Sequence, residues 1–277
     1  MPLSGVAVQA EEVVLAHDGR VAIKASSFAI PSGKITAVIG PNGSGKSTLL
    51  DGIAGLIDPS SGFLVVSPAD EQRIAYVLQT RKVNDALPVT VREVVTMGRY
   101  ASRGAYGLLK VTDRQTVDES LGRMAITDLA DRHLNELSGG QRQRVFVAQG
   151  LAQDHDMLLL DEPLTGLDLI SAQAIDSVIH DENAHGCTVV MSTHDLAEAR
   201  AADYVVLLAG AVVASGAPEE VLTEANLAAA YGGMSVHREG DGLVIDDPAH
   251  QPVDERHVHR ERSIHTEAFP DDQHAGD

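Results

Sequence analysis

Ile35-Thr36-Ala37-Val38-Ile39-Gly40-Pro41-Asn42-Gly43-Ser44-Gly45-Lys46-Ser47 joins a short apolar run to a glycine-rich turn that ends in lysine and serine. A nearly continuous apolar run bounded by glycine reads as a strand buried on both faces. Beyond the turn, Leu49, Leu50, Ile53 and Ala54 recur at helical spacing, so a helix is expected from about Lys46 to Gly55. Strand, glycine loop, helix is the context a phosphate-binding loop requires, and Gly40 to Ser47 carries its spacing. Glycines let backbone N–H groups curl round an anion at the helix N-terminus, where the helix dipole favours negative charge. On this reading Lys46 reaches the β and γ phosphates, Ser47 ligates Mg²⁺ and Thr48 assists at the α phosphate.

Outward from the loop, the chain alternates strand and helix signals. Val6 to Val14 and Ile23 to Ile30 alternate apolar and polar residues, as two half-buried antiparallel strands do. Strands are expected at Arg73 to Leu78, Met157 to Leu160 and Thr188 to Thr193, with a hairpin of Val205 to Leu208 and Val212 to Ala214. Helices are expected at Leu169 to Ala184 and over most of Val91 to Leu137, where Thr112 and Asp113 offer an N-cap. The alternation points to an α/β core around a parallel sheet.

Met157-Leu158-Leu159-Leu160-Asp161-Glu162 runs four apolar residues into two acids, which a buried strand would present at the ligand edge of the sheet. Asp161 is placed to hold Mg²⁺ through its water shell, and Glu162 to polarise a water attacking the γ phosphate.

Composition narrows the function classes. A formal charge of -19 argues against broad contact with nucleic-acid phosphates, and the absence of tryptophan against base-stacking platforms. The longest apolar stretch, Tyr204 to Ala214, is broken by Gly210 and is shorter than the roughly 20 residues of a spanning helix. Met1 to Gly5 has neither a basic nor an apolar leader region, so no secretory signal and a cytosolic location are expected. The single cysteine, Cys187, opens an apolar run and reads as strand packing. Residues 239 to 277 hold eleven Asp or Glu against three Arg, together with His250, His257, His259, His265 and His274. Such composition is expected to lack a fixed fold, its histidines being either incidental or a weak metal site.

Leu137-Ser138-Gly139-Gly140-Gln141 arises by chance in a chain of this length at well under about one in a thousand. Twenty residues before Asp161-Glu162, it makes the chain resemble the ATP-binding subunits of ABC transporters from roughly Val6 to Gly232. The resemblance implies a P-loop ATPase core with an N-terminal antiparallel β subdomain and an inserted α-helical subdomain at about residues 80 to 153. The ATPase domain would span residues 1 to 236 and the acidic, histidine-containing tail residues 237 to 277.

It also implies that two chains form a homodimer closed round two ATP molecules, with Ser138, Gly139, Gly140 and Gln141 meeting the γ phosphate held by the other chain. Gln79 would touch Mg²⁺ and the attacking water, Asp168 in Leu164-Thr165-Gly166-Leu167-Asp168 would let the subunits sense each other, and His194 would contact the γ phosphate. Where the family usually has an aromatic on adenine, this chain has His17, an imidazole with less stacking area, so stacking and a plain turn role both stay open.

The implied partners are integral membrane permease subunits, docked near Gln79 to Tyr100, and an extracytoplasmic substrate-binding protein. The implied location is peripheral, on the cytoplasmic face of the membrane. Arg73 to Gln79, Leu87 to Val91 and Met97-Gly98-Arg99-Tyr100 resemble the zinc and manganese importer branch, with iron–siderophore and cobalamin motors next. A soluble scaffold ATPase, as in iron–sulfur cluster assembly, is the rival from another class. Kinases and GTPases do not use the Leu137 to Gln141 sequence.

Overall fold

The computed structural model describes residues 5–17, 19–67, 73–79, 88–103, 108–232, 236–239 and 242–245. Its centre is the sheet announced by the opening apolar run. β1 (Val6–His17) and β2 (Arg20–Pro31) form an antiparallel hairpin, and β3 (Ile35–Ile39) leads through the glycine loop into α1 (Lys46–Ile53). β4 (Ser61–Val66) returns to pair with β1, giving a three-stranded antiparallel sheet in the order β2-β1-β4. β4 goes beyond the strands expected from the sequence, because Phe63-Leu64-Val65-Val66 is apolar on both faces, so the alternation of exposed Phe63 and Val65 with core-packed Leu64 and Val66 does not show as a pattern.

The main sheet adds β5 (Ile74–Val77), β6 (Met157–Asp161), β7 (Thr188–Thr193), β8 (Tyr204–Leu208) and β9 (Val212–Gly216). Its order is β5-β6-β7-β3-β8-β9, parallel except for the final antiparallel pair. Alternate residues of one strand enter different cores. Leu158 and Leu160 of β6 pack with the helices on one face, whereas Met157 and Leu159 pack with α1 and the β1–β2 hairpin on the other. With both faces covered, every position gains from being apolar, which is why these strands read as unbroken apolar runs.

Between β5 and β6 lie α2 (Val91–Arg103), α3 (Val111–Arg123) and α4 (Gly139–Leu151). The α3 N-terminus differs from expectation. Lys110 is the N-cap, and Asp113, at the third helical position, accepts the Lys110 N–H at 2.7 Å. α5 (Leu169–Ala184) follows β6 and precedes β7, and α6 (Leu196–Ala201), α7 (Pro218–Val221) and α8 (Glu224–Tyr231) complete the described α-helices. None of these is long and apolar enough to cross a membrane.

The chain forms a further two-stranded unit beyond residue 236. β10 (Val236–Glu239) pairs antiparallel with β11 (Gly242–Ile245), so structure continues past the boundary expected there. The tail histidines from His250 onward lie outside the described residues, as does the 80–87 part of the expected docking surface.

Candidate functional site

Parallel strands bring their following residues to one edge, and four adjacent strands carry the singled-out motifs. Gln79 follows β5, Asp161 ends β6 and Glu162 follows it, His194 follows β7, and the glycine loop follows β3. The register aligns them, since Val77 sits beside Leu160, Asp161 beside Ser192 and Thr193 beside Ile39.

The loop is built for close approach. A Cβ on Gly40 would stand 2.1 Å from the Leu208 carbonyl oxygen of β8, so any larger residue would push the loop off the sheet. Gly45, the α1 N-cap, takes the left-handed conformation (φ 104°), and Gly210 N–H donates to Ser44 O at 3.0 Å. Lys46 Nζ turns back to donate to Gly40 O (2.8 Å) and Pro41 O (3.3 Å). Burial lowers the Lys46 pKa, while the Glu162 and Asp161 carboxylates work in the opposite direction. Ser47 and Thr48 occupy the first turn of α1, half-buried.

At the end of β6 the two acids differ in environment. Asp161 is 2% exposed; its Oδ1 accepts the Ser192 hydroxyl at 2.6 Å, and its Oδ2 is buried with no hydrogen-bond partner. A buried carboxylate oxygen without a partner is costly unless a cation or donor completes it. The donor set therefore fits a hard cation such as Mg²⁺. Glu162 has φ 48°, a sparsely populated conformation for a residue with a side chain. Its N–H donates to Ser192 Oγ (2.9 Å), and its Oε2 accepts Gln79 Nε2 (2.8 Å). Gln79, Glu162, Gly139, Thr165, Gly166 and Leu167 all line one cleft of about 190 Å³.

Ser138 is the N-cap of α4, in a reciprocal box: its Oγ accepts Gln141 N–H (3.2 Å), and Gln141 Oε1 accepts Ser138 N–H (2.9 Å). Ser138 and Gly139 are exposed, so this helix N-terminus faces outward. Asp168 caps α5 by accepting the Ser171 N–H and hydroxyl, each at 2.9 Å, and these bonds hold its carboxyl below the usual carboxylate range. His194 is exposed beyond β7. His17 is exposed at the end of β1, opposite Arg20, and does not line the cleft with Glu162.

Ser192 was not singled out in the sequence. It is fully buried, and one hydroxyl serves both acids, donating to Asp161 and accepting from the Glu162 backbone. The available signal was a hydroxyl residue interrupting the β7 apolar run; its place beside Asp161 is known only from the sheet register. Ser192→Ala leaves two buried polar groups without this partner, a loss of about 1–3 kcal/mol. The expected result is a fall in kcat of about ten- to a hundredfold with little change in KM for ATP. Ser192→Thr, which keeps the hydroxyl, should recover most of the rate; unchanged kcat in Ser192→Ala removes the positioning role.

A sequence profile described as ABC transporter matches residues 23–165. The chain is 39% identical over 225 residues to the manganese transport system ATP-binding protein MntA of Synechocystis sp., covering 79% of this chain and 86% of that one. It is 38% identical over 232 residues to the zinc transport system ATP-binding protein TroB of Treponema pallidum, covering 82% and 87%. It is also 38% identical over 238 residues to the chelated iron transport system membrane protein YfeB of Yersinia pestis, covering 83% and 80%. Among solved structures, the post-hydrolysis dimer of the ATP-binding cassette MJ0796 with ADP and Pi matches with a TM-score of 0.66 and 27% identity, covering 76% of this chain and 98% of that one. With a phosphate loop, paired acids and an exposed α4 N-terminus on one α/β frame, the chain belongs to the ABC transporter family, as one of its ATP-hydrolysing subunits.

Proposed function

We propose that this subunit drives import of a divalent transition metal, manganese or zinc, by closing a homodimer round two ATP molecules. The observation that carries the cargo reading is identity of 38–39% to manganese and zinc transport ATP-binding proteins over about four-fifths of the chain. A second reading, an iron-chelate motor, rests on the equal identity to YfeB.

In this mechanism the loop from Gly40 to Thr48, with Pro41, Asn42, Gly43, Ser44 and Gly45, wraps the phosphates, and Lys46 leaves Gly40 O to neutralise the β and γ groups. Ser47, Gln79 and Asp161 would hold Mg²⁺, which supplies charge neutralisation on the phosphates. Glu162, oriented by Gln79 and by its anchored backbone, takes the proton of the attacking water. His194 and the partner chain's α4 N-terminus, through Ser138, Gly139, Gly140 and Gln141, complete the γ-phosphate shell, with Asp168 beside the dimer contact. Closure converts the differential affinity of open and closed dimers for ATP into work on the membrane subunits. His17 is retained as a candidate adenine contact.

The permease docks, on this reading, on the surface from Gln79 to Tyr100, where Met97 and Tyr100 are exposed and Arg92 and Thr96 help line a groove of about 350 Å³. On the same reading the subunit works peripherally, on the cytoplasmic face of the membrane, in a system completed by an extracytoplasmic substrate-binding protein. The test is growth of a strain lacking this gene under chelation. Manganese or zinc is expected to restore growth at concentrations that exceed those the intact strain needs. Rescue by chelated iron alone, with no manganese or zinc phenotype, selects the second reading.

A further inference from the structure

On the opposite edge of the sheet from the phosphate loop, three residues distant in sequence converge. His155 precedes β6, Glu182 lies in the last turn of α5, and Cys187 leads into β7. One ligand atom from each, an imidazole nitrogen, a carboxylate oxygen and the thiol sulfur, lies within 4.8 Å of the other two. Ligand atoms round a tetrahedral zinc stand about 3–4 Å apart, given Zn–S near 2.3 Å and Zn–N near 2.0 Å. Small side-chain shifts would therefore suffice.

Two of the donors, His155 and Glu182, are also oriented by a second partner. His155 Nδ1 lies 2.9 Å from Gln153 O, so Nδ1 carries a proton and Nε2 faces the cluster, 3.1 Å from Glu182 Oε2. This is the arrangement that fixes the ring of a metal-bound histidine. Glu182 Oε1 accepts Arg123 NH1 at 2.5 Å, which leaves Oε2 directed at the imidazole. The His155 and Glu182 side chains are 6% and 13% exposed and Cys187 is 7% exposed. The cluster is therefore largely buried but not sealed from solvent. An ion pair of His155 and Glu182 has no need of a thiol. Sulfur, nitrogen and oxygen donors together are what zinc and similar borderline ions select.

We propose that His155 Nε2, Glu182 Oε2 and Cys187 Sγ form a metal site, separate from the ATP site, for zinc or a like divalent ion, with water as the fourth ligand. Binding forms the Zn–N, Zn–S and Zn–O bonds and sends the thiol proton and any Nε2 proton to solvent. In the metal-free cluster burial opposes the imidazolium, but Cys187, Glu182 and Gln153 O push the His155 pKa up to about 10. Burial likewise opposes the Glu182 carboxylate, which His155 and Arg123 hold down to about 2. Zinc must therefore displace a proton, and affinity is lower than for a preformed neutral site. The ion would pin the near ends of β6 and β7, the strands whose far ends present Asp161, Glu162 and His194. The inference stands whether or not the cargo is a metal.

The test uses the full chain and Co²⁺ alone as the probe. Because Cys187 is the single cysteine, a thiolate-to-cobalt charge-transfer band reports this site and no other, the tail histidines included. The expected result is a near-ultraviolet band that saturates at one Co²⁺ per chain, is displaced by Zn²⁺ and is lost in Cys187→Ser. Its midpoint should weaken at least about tenfold in His155→Gln and in Glu182→Gln. ATP binding by each variant reports that it is folded, and Glu182→Gln, which keeps shape, serves if His155→Gln fails to fold. No band in the wild type, or a band whose midpoint neither variant moves, overturns the proposal, the latter by revealing a lone thiol.

Discussion

Glu162→Gln is expected to bind ATP as tightly as the wild type while hydrolysing it at least about a hundredfold more slowly, the range a positioned general base supplies being about 10²- to 10⁴-fold. The amide keeps the volume and the planar shape of the carboxylate, and its backbone anchor on Ser192 does not depend on the side chain. Gln79 Nε2 still finds an oxygen, so the cleft should keep its form. What disappears is the capacity to accept a proton from water. Lys46 and the glycine loop are untouched, so nucleotide affinity should hold, and a dimer that closes but cannot hydrolyse should accumulate. Single-turnover kinetics, nucleotide titration and size-exclusion with and without ATP measure the three quantities. Turnover within about threefold of wild type would remove Glu162 from the role and point to water positioned by other groups.

The elements of this site that were legible in the sequence share a cause. A strand buried on both faces cannot vary its pattern, so Ile35–Ile39, Met157–Asp161 and Thr188–Thr193 announce themselves, and their C-terminal residues must then lie at one edge of a parallel sheet. The glycine loop and the Leu137 to Gln141 cap were legible because few residue types satisfy their backbone demands. β4 was not, since exposed Phe63 and Val65 are as apolar as core-packed Leu64 and Val66 and its two faces look alike. Ser192 was not, because the value of a buried hydroxyl depends on what lies beside it in the next strand, and register is a tertiary fact. The cluster of His155, Glu182 and Cys187 was hidden for the same reason, its members coming from three elements. Met97-Gly98-Arg99-Tyr100 resembles one branch of the family, but two of its residues serve packing. A Cβ on Gly98 would meet Gln149 O at 2.3 Å, which sets how closely α2 approaches α4, and Arg99 is buried.

Arg99 gives the largest stability effect expected outside the ATP site. It is 3% exposed, and its guanidinium donates to Asp113 Oδ1 (3.0 Å), to both carboxylate oxygens of Asp154 (3.0 and 3.1 Å) and to the Ala152 carbonyl (2.6 Å). Through these bonds one side chain of α2 ties the first turn of α3 to the end of α4. Burial penalises the charge, but the bonds to Asp154 and Asp113 outweigh it, and the Arg99 pKa is raised. Arg99→Met keeps most of the volume and removes the charge, taking from the Asp113 carboxylate, itself 1% exposed, the guanidinium that donates to its Oδ1, while the Lys110 N–H still donates to its other oxygen. Removing one partner of a buried pair costs about 3–5 kcal/mol, because the remaining charge stays desolvated. Urea unfolding should show that loss as a lower midpoint at unchanged slope. The double variant Arg99→Met with Asp113→Leu should recover much of it, since exchanging a whole buried pair for apolar residues is often neutral. A loss below about 1 kcal/mol in the single variant, or a double variant no more stable than the single, would mean that the Asp154 contact at the surface, and not the buried pair, holds α2 to its neighbours.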